Sequence, residues 1–214
     1  MRLRNVKNKE EIMNNSDYLV KDSFEYKGKW SNFFGNNNPI YIEIGMGKGQ
    51  FIINNAKLYP NINFIGIEKY DSVIAKSLQK IPEGLDNLAI VRLDALEIDS
   101  VFCNEIDKIY LNFSDPWPKN RHHLRRLSSK VFLEKYDNIF KESCIIEMRT
   151  DNRELFQYSL VSFSTNGYVL KMVSLDLHTD MMPGVTTEYE DKFSNMGLPI
   201  YYVECFKEIV QNSK

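Results

Sequence analysis

The hydrophobic pattern changes character at residue 39. Before it the chain is polar and aromatic, ending in the loop Gly35-Asn36-Asn37-Asn38. After it, short apolar runs alternate with amphipathic stretches. Residues 39–44 (PIYIEI), 63–68 (NFIGIE), 88–93 (LAIVRL), 108–113 (KIYLNF) and 144–148 (CIIEM) read as strands. Such near-continuous apolar runs are buried on both faces of a parallel sheet. Residues 50–58 carry Phe51, Ile52, Ile53, Ala56 and Leu58 at helical spacing, and Pro60 stops that helix. Asp71 or Ser72 is placed to cap a helix through Leu78, and Ser128 or Ser129 to cap one that buries Val131, Phe132, Leu133, Tyr136 and Ile139. Another helix follows Thr150-Asp151-Asn152 and runs through Phe163.

The last third is different. Residues 168–173 and 199–204 read as strands with no clear helix between them. Strand–helix alternation predicts a doubly wound α/β fold, a mostly parallel seven-stranded sheet with right-handed crossovers. Late strands without a crossover predict an antiparallel edge strand. Residues 39–214 are expected to form a single domain, and 1–38 a partly flexible N-terminal extension with weak helical content.

Composition narrows the function classes. A chain of 214 residues suffices for one such domain. The formal net charge of -2 gives no global attraction to a polyanion, so nucleic-acid binding needs a local patch. Cys103, Cys144 and Cys205 are widely spaced and odd in number, which predicts buried thiols rather than a disulfide framework or a metal site. The N-terminal cations precede no apolar run, so no secretory signal is expected. No apolar stretch is long enough to span a bilayer. The expectation is a cytoplasmic enzyme.

Candidate chemistry gathers at strand ends. Glu43, Glu68, Asp94 and Asp115 each end or directly follow a strand, with Asp151 close after the fifth. In a doubly wound sheet these ends open on one ligand crevice. Each acid alone would equally suit a helix cap or a solvated loop; the set together is harder to explain that way. Gly45, Gly47 and Gly49 follow the first strand. The dinucleotide fingerprint would need its third glycine at Gln50, so the loop suits a smaller cofactor lacking a pyrophosphate. Glu68 is placed to accept from ribose hydroxyls, and Asp94 from an adenine amino group. Ribose and adenine without phosphate describe S-adenosylmethionine.

Residues 112–127, NFSDPWPKNRHHLRRL, set Asp115 in a proline-stiffened turn beside Lys119, Arg121, Arg125 and Arg126, with His122 and His123 among them. No carboxylate interrupts the run until Glu134. A reaction centre beside a grip for nucleic-acid phosphates is expected, with Arg121, Arg125 and Arg126 on phosphate. The two histidines lack a third ligand at a sensible spacing, so no metal site is expected. Trp117 either stacks on a base or packs beneath the loop. His178 reads as structural.

Over residues 35–205 the segments EIGMGKG, NFIGIEKYDSV, YLNFSDPWPKNRH, RRL, TDNRELF, LDLH and TEYEDKF resemble the bacterial tRNA (guanine-N7-)-methyltransferases. The resemblance implies a class I methyltransferase with a Rossmann-like sheet. It implies S-adenosylmethionine as cofactor, tRNA as partner, and methylation of N7 of a variable-loop guanosine at tRNA position 46. It makes Glu43, Glu68, Asp94 and Asp115 cofactor-binding, and Asp115 also catalytic; Gly45 and Gly47 join them from the reading of the loop. It assigns Lys119, Asp151, Thr187, Glu188, Tyr189 and Glu190 to substrate, and Arg121, His122, Arg125 and Arg126 to RNA. No obligatory protein partner is expected, whether the chain acts as monomer or homodimer. Asn120 and Leu124 depart from the family's usual cations and thin the grip. An exocyclic-amine methyltransferase would show an acid or Asn followed by two prolines and an aromatic, an order that Asp115-Pro116-Trp117-Pro118 breaks. A non-catalytic RNA-binding module would not need the acids and glycines.

Overall fold

The computed structural model describes residues 6–182 and 184–208; the expected extension's residues 1–5 and the domain's residues 209–214 lie outside that range. The strands are β1 (Leu19–Val20), β2 (Ile40–Ile44), β3 (Asn63–Glu68), β4 (Leu88–Arg92), β5 (Ile106–Asn112), β6 (Phe140–Thr150), β7 (Val169–Ser174) and β8 (Tyr201–Glu208). They form one sheet in the order β1-β4-β3-β2-β5-β6-β8-β7. From β1 to β6 every pairing is parallel, and β8 runs antiparallel to both β6 and β7. The doubly wound class with an antiparallel edge therefore stands. The expected seven strands become eight, because β1 is only two residues long and too short to show an alternating pattern.

The helices are α1 (Lys9–Asn14), α2 (Trp30–Phe34), α3 (Gln50–Leu58), α4 (Asp71–Leu78), α5 (Ile98–Val101), α6 (Lys130–Asp137), α7 (Arg153–Thr165), α8 (Leu177–Asp180) and α9 (Glu188–Ser194). Their starts show which caps operate. Asn152 accepts from Leu155 N at 2.8 Å and starts α7. Asp71 does not cap α4; its carboxylate takes Arg92 Nε at 2.8 Å instead. Ser129 precedes α6, but its hydroxyl donates to Leu124 O. Between β7 and β8, where no helix was legible, lie α8 and α9, four and seven residues long. Helices this short are marginal alone and depend on tertiary contacts.

Period-two alternation splits the core between the two faces of the sheet. In β3, Phe64 packs with Phe51, Ile74 and Ile90 beneath α3 and α4, while Ile65 and Ile67 face Ile42, Ile44 and Val91. The N-terminal segment enters this core. Trp30 is 0% exposed, sits 5.4 Å from the Phe102 ring, and donates through Nε1 to Val101 O at 3.1 Å. Glu105 accepts from the backbone N–H groups of Gly28 and Trp30. A polar segment with a single deeply seated indole leaves little trace in hydropathy.

One glycine sets the floor of the crevice. A Cβ on Gly66 in β3 would lie 2.3 Å from Met46 Sδ. Its absence lets Met46 seat against the sheet. Gly45 N and Met46 N both donate to Ile67 O, at 2.9 and 3.0 Å, so the loop after β2 is latched onto the end of β3.

Trp30→Ala is expected to destabilise the protein by about 3–5 kcal/mol, the cost of emptying a buried aromatic site. Urea denaturation measures this; a loss below about 1 kcal/mol would mean that residues 6–38 are not part of the cooperative unit.

Candidate active site

A cavity of about 720 Å³ opens where β2, β3, β4 and β5 end. Glu43, Glu68, Asp94 and Asp115 all line it, together with Gly45 and Gly47. The expected set of acids therefore shares one pocket.

Each acid is held differently. Glu43, near the end of β2, is 2% exposed. Its Oε1 accepts from Asn112 Nδ2 at 2.9 Å, and its Oε2 has no partner among the described residues. Burial pushes its pKa up to about 8, against the pull of the Asn112 hydrogen bond and the Arg149 charge. Glu68 Oε1 accepts from Lys69 N and Tyr70 N at 2.8 and 3.1 Å, and burial raises its pKa against those bonds. Asp94 Oδ1 accepts from Leu96 N, while Oδ2 lies 3.7 Å from Lys69 Nζ. Asp115 is exposed. It sits between Phe113 (φ 49°) and Trp117 (φ 43°), two non-glycine residues in the left-handed region. Each costs on the order of 1–3 kcal/mol and needs surrounding contacts to persist.

Gly45 (φ 78°) and Gly47 (φ 58°) also adopt that region. An added Cβ at either would meet no atom within 4 Å, so these glycines answer to backbone conformation and leave their cavity side clear.

The opposite wall is α9. Thr187 caps it, accepting from Glu190 N at 3.0 Å. Glu188 pairs with Lys48 at 3.3 Å and with Lys80, and Tyr189 stacks on Phe113 with ring centroids 6.1 Å apart. Thr187, Glu188 and Tyr189 line the cavity; Glu190 does not. Glu190 is 0% exposed, with Arg149 Nη1 at 2.9 Å and His178 Nε2 at 3.1 Å. Its carboxylate is committed to holding α9 on β6. His178 is exposed and reaches that carboxylate from the surface.

The basic tract divides. Arg125 lines the cavity with its guanidinium 5.0 Å from the Trp117 ring. Lys119 and Arg121 are exposed, and His122 is half-buried, edge-on to Trp117. Arg126 corrects the expectation of a phosphate contact. It is 7% exposed, donates to Pro116 O at 2.9 Å and Trp117 O at 3.2 Å, and stacks on Tyr158. It pins the Asp115 turn from inside. Lys119, Arg121, His122 and Asp151 do not line the cavity, and Asp151 is exposed beyond β6. Sequence reasoning passed over Asn112, Lys48 and Phe113, although each adjoins a residue it chose. Among the described residues no group of three His, Cys, Asp or Glu side chains is placed to hold a metal ion, and no helix is long and apolar enough to cross a membrane.

A family model described as "Putative methyltransferase" matches residues 37–203. A tRNA (guanine-N(7)-)-methyltransferase of Lachnoclostridium phytofermentans is 50% identical over 212 residues, 97% of this chain and 99% of the relative. One from Bacillus subtilis is 48% identical over 196 residues, 90% and 92% of the two chains. Among solved structures, an antibiotic-related methyltransferase superposes with TM-score 0.63 at 19% identity, over 85% of this chain and 94% of its own. A mutant 16S rRNA (adenine(1408)-N(1))-methyltransferase from Catenulisporales acidiphilia, with cosubstrate SAM, gives TM-score 0.58 at 13% identity, over 87% and 92%. These structures share the fold.

Glu43 holds its proton more tightly folded than unfolded. Between its ordinary 4.5 and about 8 the folded chain carries the extra proton, so its contribution to stability falls as pH rises through that window. Denaturation midpoints of the ligand-free protein from about pH 5 to about pH 9 are expected to decline less in Glu43→Gln than in the wild type. Parallel profiles would remove Glu43 as the cause.

Proposed function

The chain belongs to the tRNA (guanine-N(7)-)-methyltransferase family, and we propose that its cavity holds S-adenosylmethionine beside N7 of a guanosine in the tRNA variable loop, giving 7-methylguanosine. The observation that carries this reading is the gathering of four carboxylates around one cavity, with a buried orphan oxygen on Glu43.

The residues present fit the cofactor. Its ammonium, ribose hydroxyls and adenine amino group are hydrogen-bond donors, and the acids are acceptors. Glu43 Oε2 lacks a donor and suits the ammonium; a cation there also offsets the cost of a buried carboxylate. Glu68 suits the ribose and Asp94 the adenine side, while Gly45 and Gly47 let the ligand approach the backbone. When bound, S-adenosylmethionine supplies an electrophilic methyl group on a sulfonium.

Guanine N7 carries a lone pair on the major-groove edge and gives up no proton before it reacts. An obligatory base is therefore unnecessary, and the chain's main task is alignment. Asp115 is presented at the end of β5, in a turn held by Arg126. There it orients the guanine by accepting from its N1 and N2 hydrogens, and it offsets the positive charge that the base gains. Thr187, Glu188 and Tyr189 supply the facing wall. Arg125 guards the approach, with Lys119 and Arg121 exposed beside it for phosphates. Glu190 acts from behind the wall through Arg149. A tRNA substrate supports a cytoplasmic site of action.

The test is to incubate labelled S-adenosylmethionine with unmodified tRNA and locate the methyl group by cleavage specific for 7-methylguanosine. Label at an exocyclic amine would overturn the reading. With cofactor and tRNA saturating, Asp115→Ala is expected to lower turnover by about 10²-fold, the scale for losing a group that stabilises developing charge; near-normal turnover excludes a catalytic role. Arg125→Ala is expected to reduce the slope of log affinity for tRNA against log salt by about one. An unchanged slope would take Arg125 off the RNA.

A further inference from the structure

The acids answer to the cofactor's donors, but S-adenosylmethionine also carries a carboxylate, which calls for a cation. Among the described residues lining the cavity, the cations are Lys48, Lys69 and Arg125. Lys69 Nζ lies 3.7 Å from Asp94 and 5.1 Å from the Tyr70 ring centroid, on the side read as the adenosyl end. The Arg125 guanidinium lies on the Trp117 ring beside the Asp115 turn. Lys48 stands in the glycine loop that begins two residues after Glu43, the acid suited to the ammonium. An α-ammonium and an α-carboxylate share one carbon, so the groups that hold them must be neighbours.

Lys48 is also placed to change partners. Its Nζ lies 3.3 Å from Glu188 Oε2, and the two side chains are 35% and 26% exposed. A pair this solvated is weakly held. The other Glu188 oxygen is taken by Lys80, so Glu188 keeps a counter-charge if Lys48 departs. Resting on the cofactor reading above, we propose that Lys48 holds the carboxylate of S-adenosylmethionine, giving up Glu188 to do so. The glycine loop then grips both ends of the amino-acid moiety, and Glu188, left with Lys80 alone, gains an oxygen for the incoming RNA. Cofactor binding thereby alters the wall that tRNA meets.

The experiment titrates the full chain by calorimetry with S-adenosylmethionine and with decarboxylated S-adenosylmethionine, which keeps the ammonium and sulfonium. The wild type is expected to prefer the carboxylate-bearing ligand by about tenfold or more, as for a hydrogen bond to a charged group. Lys48→Ala is expected to lose that preference and bind the two ligands within about twofold of each other. Lys80→Ala, which removes the counter-charge Glu188 falls back on, is expected to narrow the preference without abolishing it. Thermal melting verifies that both variants fold. If Lys48→Ala retains the wild-type preference, backbone amides hold the carboxylate and the assignment fails. It also fails if Lys48→Ala weakens both ligands by the same factor. A wild type that binds both ligands equally overturns the assignment alone and leaves the cofactor reading standing. A wild type that binds neither overturns the cofactor reading, and the assignment with it.

Discussion

A buried carboxyl group with one oxygen lacking a partner is costly to ionise, and the crevice is arranged around such a group at Glu43. Parallel strands bring its backbone to the carboxyl edge of the sheet, between β3 and β5. Asn112, on the neighbouring β5, satisfies one oxygen and leaves the other. Arg149 contributes positive charge without making the missing hydrogen bond. Glu43 lines the cavity, so a ligand held there can make up that deficit. A cationic ligand removes it, so the same feature that weakens the empty protein favours the loaded one.

The second organising contact is the pairing of Arg149 with Glu190. The segment between β7 and β8 has little helical tendency of its own, and α9 buries only Glu190 along its length. What sets it against the cavity is a row of polar ties: Arg149 to Glu190, Gln50 to Asp191, and Glu188 to two lysines. These ties run to β6, to α3 and to the glycine loop, so the wall over the pocket is referenced to the elements that form its floor. A hydrophobic anchor would fix the wall more firmly, but polar ties can be exchanged.

How much of this was legible in the sequence follows from how local each cause is. The bounds of α3 and β3 were read to the residue, because nine- and six-residue apolar patterns flanked by Gly, Pro or charge carry their own boundaries. The acids at the strand ends were legible for the same reason: the sheet places every such end in one crevice. β1 was not legible, because two residues hold no period. α9 was not, because its position depends on a partner 41 residues away in sequence. Arg126 was assigned to RNA because a sequence shows charge but not direction; it shares the tract with Arg125, yet one turns inward and the other outward. Glu190 misled in the same way, its burial set by Arg149 and His178 rather than by any neighbour in the chain.

The inward arginine has a wider consequence. By tying Pro116 and Trp117 to the scaffold through Tyr158, it separates the strained turn that carries Asp115 from the exposed residues that follow it. The short 3-10 turn from Asn120 to Arg125 buries no residue. Substitutions of its outward side chains are therefore expected to leave the turn a few residues upstream in place. Asn120 lies on that insulated stretch, whereas Leu124 also lines the cavity and does not.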